Sequence, residues 1–373
     1  MNLYERALTV WPLLLSMMLA STNYGSAAAD APQGFISLFN GKDLTGWKGL
    51  VADPKSRLAM TEEQLANAQR EADQQIRAHW KIVEGVLEYD GKGTSLCTTR
   101  DYGDFELYVD WKILPRGDSG IFLRGSPQIQ IWDTGYEPFH ANGADKGSGG
   151  LWNNQRNPRF PLVNADKPAG EWNTFTIRLV GNRVTVRLNG QLVTENVIME
   201  NYWEPSRPLS PRGQIELQHH GNKIWFRNIY LREIEPEEAN RLLAEESAAQ
   251  FVSVFNGRNL DGWDSAVDGY HVSDGALLCK EGQGGTLFTS KQFSNFIARL
   301  EFKLPPKGNN GLAIRYPGYG SAHTDGMCEL QILSEDYPDI DELDPRQLHG
   351  SAYGLAAAHQ GYLRPVGEWN FSR

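Results

Sequence analysis

Along residues 105–112 the chain reads Phe-Glu-Leu-Tyr-Val-Asp-Trp-Lys. Phe105, Leu107, Val109 and Trp111 face one way, and Glu106, Tyr108, Asp110 and Lys112 the other, the period of a half-buried strand. The same period runs through 120–124, 128–133, 174–180, 183–189, 214–220 and 224–231. Asn189-Gly190, between alternating flanks at 184–188 and 191–194, predicts a two-residue hairpin. Short strands parted by Gly, Asn and Pro turns predict an antiparallel sandwich or jelly roll. Two segments break the pattern. Between Trp47 and Trp80, Thr61 and Gln64 form a capping box, and Leu65, Ala68, Ala72, Ile76 and His79 follow at helical spacing. The expectation there is an inserted helix packed on the domain rather than a functional element. Residues 235–250, rich in Glu, Ala and Leu, predict a short helical linker.

The pattern also recurs on a larger scale. FISLFNGKDLTGW at 35–47 returns as FVSVFNGRNLDGW at 251–263, FELYVDWK at 105–112 as FIARLEFK at 296–303, and DSGIFLR at 118–124 as NNGLAIR at 309–315. GEWN at 170–173 returns at 367–370. The spacing is too long for a solenoid, so the expectation is two tandem domains, 35–234 and 251–373, joined by 235–250. The second lacks counterparts of the strands after 173, so it is expected to be C-terminally truncated, with apolar faces and strand edges exposed.

Composition fits that picture: 40% hydrophobic and 22% charged residues, with 38 Gly and 19 Pro, describe a globular β protein. A net charge of −10 argues against nucleic acid as a partner. At the N-terminus Arg6 precedes an apolar run over 7–20 and an Ala-rich exit at 27–29, which predicts a signal peptide over 1–29. The expected location is periplasmic or extracellular, with no transmembrane segment left after cleavage. Cys97, Cys279 and Cys328 show no zinc spacing. Cys279–Cys328 is the one pair worth testing as a disulfide, and three buried thiols is the simpler expectation.

Chemistry gathers on one predicted face. If strands 120–124, 128–133 and 215–220 adjoin, Arg124, Gln128, Gln130, Trp132, Glu216, Gln218 and His220 share the face opposite Ile121, Ile129, Ile131, Ile215 and Leu217. Amides and guanidinium groups bind hydroxyls, and an indole stacks on a sugar ring, so a curved face of this kind suits carbohydrate. The alternative is the solvated side of a half-buried sheet. The later region repeats the face with Arg315, Glu329 and Gln331, followed by His349 and Tyr353. Glu329 stands where the first copy has Gln128. No GxSxG, HExxH, P-loop or dinucleotide fingerprint occurs. Strand 128–133 lacks the close acid pair of a standard retaining glycosidase.

Phe-x-Ser-Leu-Phe-Asn-Gly-Lys-Asp-Leu-x-Gly-Trp at 35–47, Ser-Gly-Ile-Phe-Leu-Arg at 119–124, Gly-Glu-Trp-Asn at 170–173, and Leu-Gln-His-His-Gly with Phe-Arg-Asn-Ile within 217–229 resemble the 3-keto-disaccharide hydrolase domain family. The resemblance implies an all-β fold of two tandem concanavalin A-like jelly-roll sandwiches, the first with an inserted helix and the second incomplete. It implies an exported bacterial protein acting on 3-keto-glycosides. The family pattern Tyr-Glu-Val-Gln-Ile-x-Asp appears here as Pro-Gln-Ile-Gln-Ile-Trp-Asp at 127–133, without the acid, while 329–332 keeps Glu-Leu-Gln-Ile. Leu151-Trp152 stands where the family's Gly-Ala-x-Tyr-Gly motif falls, and the later region keeps Gly-Ser-Ala-Tyr-Gly at 350–354.

A 3-keto group acidifies the hydrogen at C2, so hydrolysis is expected to run by elimination and hydration. Glu329 or His220 is then the candidate base, and Arg124 or Arg315 the candidate enolate stabiliser. Gln128, Gln130, Trp132, Glu216, Gln218, Gln331, His349 and Tyr353 are the candidate substrate contacts. A divalent metal could assist, but no decisive ligand set is legible and the cofactor stays open. The alternative function is a non-catalytic carbohydrate-binding module.

Overall fold

The computed structural model describes residues 31–126, 128–245, 251–326 and 328–372. The predicted signal peptide lies outside the described residues. In chain order the N-terminal region contains β1 (Ile36–Ser37), β2 (Trp47–Gly49), α1 (Pro54–Leu58), α2 (Glu62–His79), β3 (Trp80–Val83), β4 (Val86–Tyr89) and β5 (Leu96–Thr98). There follow β6 (Phe105–Ile113), β7 (Asp118–Phe122), β8 (Gln128–Trp132), β9 (Asn173–Val180), β10 (Arg183–Leu188), β11 (Gln191–Ile198), β12 (Glu216–Leu217), β13 (Ile224–Glu233) and α3 (Pro236–Glu245).

The strands form two antiparallel sheets. One runs β11-β10-β9-β6-β13-β4-β3, with β1 also paired to β13, and the other runs β2-β5-β12-β7-β8. This is the all-β jelly-roll class expected from the alternation. Phe105, Leu107, Val109 and Trp111 of β6 are buried against Ile121, Ile129, Ile131 and Leu217 of the facing sheet. Trp111 packs on Phe175 with ring centroids 5.4 Å apart. Asn189 and Gly190 both have positive φ, and Leu188 pairs with Gln191, so the β10–β11 hairpin forms as its dipeptide requires.

The capping box at Thr61 and Gln64 starts α2, and only Ala72 and Ile76 of its expected stripe are buried. The helix covers the free edge of β2. Asp73 Oδ1 accepts from Gly49 N–H at 2.9 Å, and Gln69 Nε2 donates to Gly49 O at 2.8 Å. Gly49 must be glycine, because a Cβ there would stand 2.3 Å from the Ala72 carbonyl. Ahead of α2, the unanticipated five-residue helix α1 is capped by Asp53, whose side chain accepts from Ser56 N–H. α3 closes the region through Ala239, Leu242 and Leu243, packed on Val180 and Ile234.

In the C-terminal region the described strands form four two-stranded ladders: Trp263–Ser265 with Leu287–Thr289, Tyr270–Ser273 with Ala276–Cys279, Leu300–Lys303 with Trp369–Ser372, and Asn309–Ile314 with Cys328–Leu333. Arg364 ties this region to α3, donating to Pro236 O and Asn240 Oδ1 at 2.9 and 3.0 Å. The three cysteines are free, with Cys97 buried and Cys279 exposed, so the Cys279–Cys328 bond is not formed and Cys279 is not a core thiol. Among the described residues no helix is long and apolar enough to cross a membrane.

Candidate functional site

The strands that carry the predicted face do adjoin, in the order β12-β7-β8. Glu216 pairs with Cys97 on one side and Phe122 on the other, and Phe122 pairs with Gln128. In the next row Gln218 N–H donates to Gly120 O at 2.9 Å and Gly120 pairs with Gln130. Beyond it Asp118 pairs with Trp132, and His220 Nδ1 stands 3.3 Å from Asp118 Oδ2. Gly120 leaves this face open: a Cβ there would lie 2.8 Å from Gln128 Oε1.

The face is sheltered at Gln128, Gln130 and Glu216 and open to solvent at His220. Gln128, Gln130 and Glu216 are each no more than 6% exposed. Gln128 Nε2 donates to Gln130 Oε1, and Gln130 Nε2 donates to Asp118 Oδ1 at 2.7 Å. Burial raises the Asp118 pKa above the usual carboxylate value, against the opposing pull of His220 and Gln130. Three buried acceptors on this face have no partner among the described residues: Oε1 of Gln128, of Glu216 and of Gln218. Orphaned acceptors in a row call for donors from a ligand or ordered water. Sugar hydroxyls are donors of that kind.

Glu216 is the most perturbed member. Among the described residues nothing donates a hydrogen bond to its carboxyl, and burial pushes its pKa up to about 7, with Arg57 pulling the other way. It lines a cavity of about 320 Å³ with Phe122, Trp203, Gln218 and His219, and the insertion residues Leu50, Ala52 and Pro54 form the opposite wall. That volume lies within the range of small-molecule pockets. Trp203 is fixed by its indole N–H, which donates to Gly125 O at 2.7 Å. The helix α2 itself packs on the domain as expected, and the segment ahead of it contributes Leu50, Ala52, Asp53 and Pro54 to the cavity lining.

Several predicted site residues are placed elsewhere. Arg124 has φ +53, so alternation ends after Leu123 and its side chain turns inward. Its guanidinium donates to Gly103 O at 2.9 and 2.5 Å, to Gly181 O at 2.8 Å and to Asp104 Oδ1 at 2.8 Å. It clamps loops together and is not on the face. Arg315 repeats the turn with φ +52 and donates to Ser294 O at 3.0 Å. Trp132 is only 5% exposed. The chain at 147–152 folds back along β8, where Gly147 O accepts the Trp132 indole N–H and Trp152 packs edge-on at 5.3 Å. Trp132 therefore offers no open ring to a sugar.

His349 Nδ1 accepts from Leu333 N–H at 3.3 Å, the place filled by Ser148 Oγ for Trp132 N–H. Burial lowers its pKa to about 4, so it serves as a neutral backbone acceptor. Glu329 leans over Gly311 as Gln128 leans over Gly120. Gln331 Nε2 donates to Asn309 Oδ1 at 3.4 Å, matching Gln130 and Asp118. The Tyr353 hydroxyl accepts from Gln347 Nε2 at 2.8 Å.

Sequence reasoning missed Asp118, Arg57 and Trp203. Asp118 was readable, since it lies two residues before Gly120 and shares its face. Trp203 arrives from a loop and Arg57 from the short helix α1, neither of which any periodicity marks. Strand 128–133 lacks a carboxyl on this face, and Glu216 carries one two strands away in the same row. Among the described residues no group of three or more His, Cys, Asp or Glu could hold a metal ion.

The family model described as a 3-keto-alpha-glucoside-1,2-lyase-like domain matches residues 34–232 and 250–373. A 3-keto-disaccharide hydrolase of Bacteroides thetaiotaomicron is 24% identical over 256 aligned positions, covering 54% of this chain and 79% of that protein. Two provisionally assigned glycosyl hydrolases of Parabacteroides distasonis have similar solved structures. One is 28% identical with a TM-score of 0.42, covering 55% of this chain and 85% of its own. The other is 23% identical with a TM-score of 0.41, covering 54% and 94%.

Proposed function

Because the chain belongs to the 3-keto-alpha-glucoside-1,2-lyase-like domain family, we propose that it cleaves 3-keto-glycosides and that Glu216 is the proton-transfer residue. The observation that carries this reading is a single carboxyl: buried, without a hydrogen bond among the described residues, with its pKa raised to about 7, on the wall of a cavity of about 320 Å³. A group titrating near neutrality is poised both to take and to return a proton. In the carboxylate form Glu216 removes the C2 proton beside the 3-keto group. The C–H electrons pass into an enolate, then into a C1–C2 double bond as the C1–oxygen bond breaks. The protonated Glu216 returns its proton to the leaving oxygen. Water adds to the unsaturated sugar afterwards.

His220 lies three residues beyond the end of β12, with Nδ1 3.3 Å from Asp118 Oδ2. We assign it and Gln130 to a neighbouring part of the ligand. We further propose export, directed by residues 1–29, and an organisation of two tandem domains over 35–234 and 251–373.

The test is release of p-nitrophenol from p-nitrophenyl 3-keto-α-glucoside by the full chain. Glu216→Gln is expected to lower kcat by about 10²–10⁴-fold, while Glu329→Gln leaves it unchanged. Undiminished turnover by Glu216→Gln rejects the assignment. Sugar binding without turnover by the wild type would favour a binding module instead.

A further inference from the structure

The wall opposite Glu216 is shaped by a strained turn. Ala52 has φ +42, a left-handed backbone unfavourable for alanine. Arg57 Nη1 holds the turn, donating to Val51 O and Ala52 O at 2.9 and 2.7 Å. Its other terminal nitrogen, Nη2, makes no hydrogen bond among the described residues. A Cβ added at Gly125 would stand 3.0 Å from Pro54 Cγ, 3.4 Å from Glu216 Oε1 and 3.9 Å from Arg57 Nη2. A cation and a carboxyl thus approach one point, beside the Pro54 ring, without forming an ion pair.

We infer that Arg57 is a second catalytic residue of this site, its Nη2 holding the C3 oxygen of the 3-keto sugar as charge develops there. This rests on the reading of Glu216 given above. When Glu216 takes the C2 proton, the C–H electron pair forms a C2–C3 double bond and the carbonyl pair moves to the C3 oxygen. That oxygen carries a full negative charge until the pair returns to expel the C1 substituent. Stabilising it is the main electrostatic task of the reaction. A guanidinium suits the task because it stays charged at any working pH. Two carbonyls already fix it, so little reorganisation is needed.

The geometry also explains the insertion. Between Trp263 and Tyr270 the C-terminal region has no counterpart of residues 50–79 and therefore no cation at this position. Lys48, Arg57 and Asp73 act on the Cys97 thiol of β5, and Asp53 and His219 line the cavity beside Glu216. Arg57 is the charge that acts most strongly on Glu216.

The experiment uses the full chain and p-nitrophenyl 3-keto-α-glucoside from pH 5 to 9, with C2 hydrogen exchange in deuterated buffer as a second readout. Arg57→Gln is expected to lower kcat by about 10²–10³-fold, with KM moved by less than about threefold. Removing the cation should also move the pH limb governed by Glu216 upward. Arg57→Lys should retain part of the rate, and added methylguanidine should restore part of it to Arg57→Ala. Unchanged kcat in Arg57→Gln overturns the inference. So does a loss of rate with no shift of the pH limb and no rescue, because that pattern marks a purely structural turn. If the wild type neither releases p-nitrophenol nor exchanges the C2 hydrogen, the reading of Glu216 fails, and the role of Arg57 fails with it.

Discussion

Phe105 and Phe296 open matching segments, yet Phe105 is fully buried and Phe296 is 44% exposed. The local structure around such pairs is the same in both regions. Asn40 Oδ1 accepts from Lys42 and Asp43 N–H, as Asn256 Oδ1 does from Arg258 and Asn259 N–H. The indole N–H of Trp47 donates to Leu38 O, and that of Trp263 donates to Val254 O. Gln130 and Gln331 each exchange backbone bonds with a returning segment, through Gly149 and Gly150 in one region and Gly350 and Ser351 in the other. What differs is the number of partners. β6 lies between β9 and β13, whereas Leu300–Lys303 is paired with Trp369–Ser372 alone among the described residues. Turns and ladders come from nearby residues, but burial requires neighbours on both sides.

The largest test of this contrast is to separate the regions. Residues 31–245 should melt in one cooperative transition. Residues 251–373 expressed alone should show none and should bind hydrophobic dye. A sharp transition with dispersed amide signals from 251–373 would break the comparison.

Next in size is the shared arginine clamp. Arg124 is buried with Asp104 and Arg315 is exposed. Arg124→Ala should cost about 2–4 kcal/mol, because it leaves the Gly103 and Gly181 carbonyls without their buried donor, while Arg315→Ala should cost less than about 1 kcal/mol. Equal losses in urea melts of the full chain would show that burial does not separate the two clamps.

A third difference is electrostatic. In the N-terminal region burial raises Glu216 to about 7 and Asp166 to about 6. In the C-terminal region hydrogen bonds from Arg346 and Ser334 lower the exposed Asp344 and Asp336. A carboxyl with a raised folded pKa binds more protons folded than unfolded. Its contribution is therefore full below pH 4.5 and is lost as pH rises to 7. For Glu216 the loss is on the order of 3 kcal/mol. Glu216→Gln should flatten that part of the stability–pH curve and be the more stable protein at pH 8, leaving the slope due to Asp166 and Asp118. An unchanged curve would mean Glu216 is ionised at ordinary pH.

The smallest effect is expected at Gln128, the position where the regions differ chemically. If Glu216 is the working carboxyl, Gln128→Glu should change turnover by less than about tenfold. A rise of several hundredfold would return the base to the position that Glu329 occupies in the other region.

Much of the candidate face was legible in the sequence. Period-two alternation put Gln128, Gln130, Glu216, Gln218 and His220 on one face, and the strands do adjoin there. Alternation misled at Arg124 and Trp132 for identifiable reasons. A positive φ ended the strand before Arg124, and a returning loop covered Trp132. Asn189-Gly190, the capping box at Thr61 and the strand register were set by the chain itself, because steric limits on φ and ψ and nearby hydrogen bonds act over a few residues. The tertiary structure alone decided that the insertion brings Arg57 toward Glu216. It also decided that Trp203 walls the cavity and that the Glu216 carboxyl loses its water. Those outcomes depend on desolvation and on charges far apart in sequence, which no local pattern encodes.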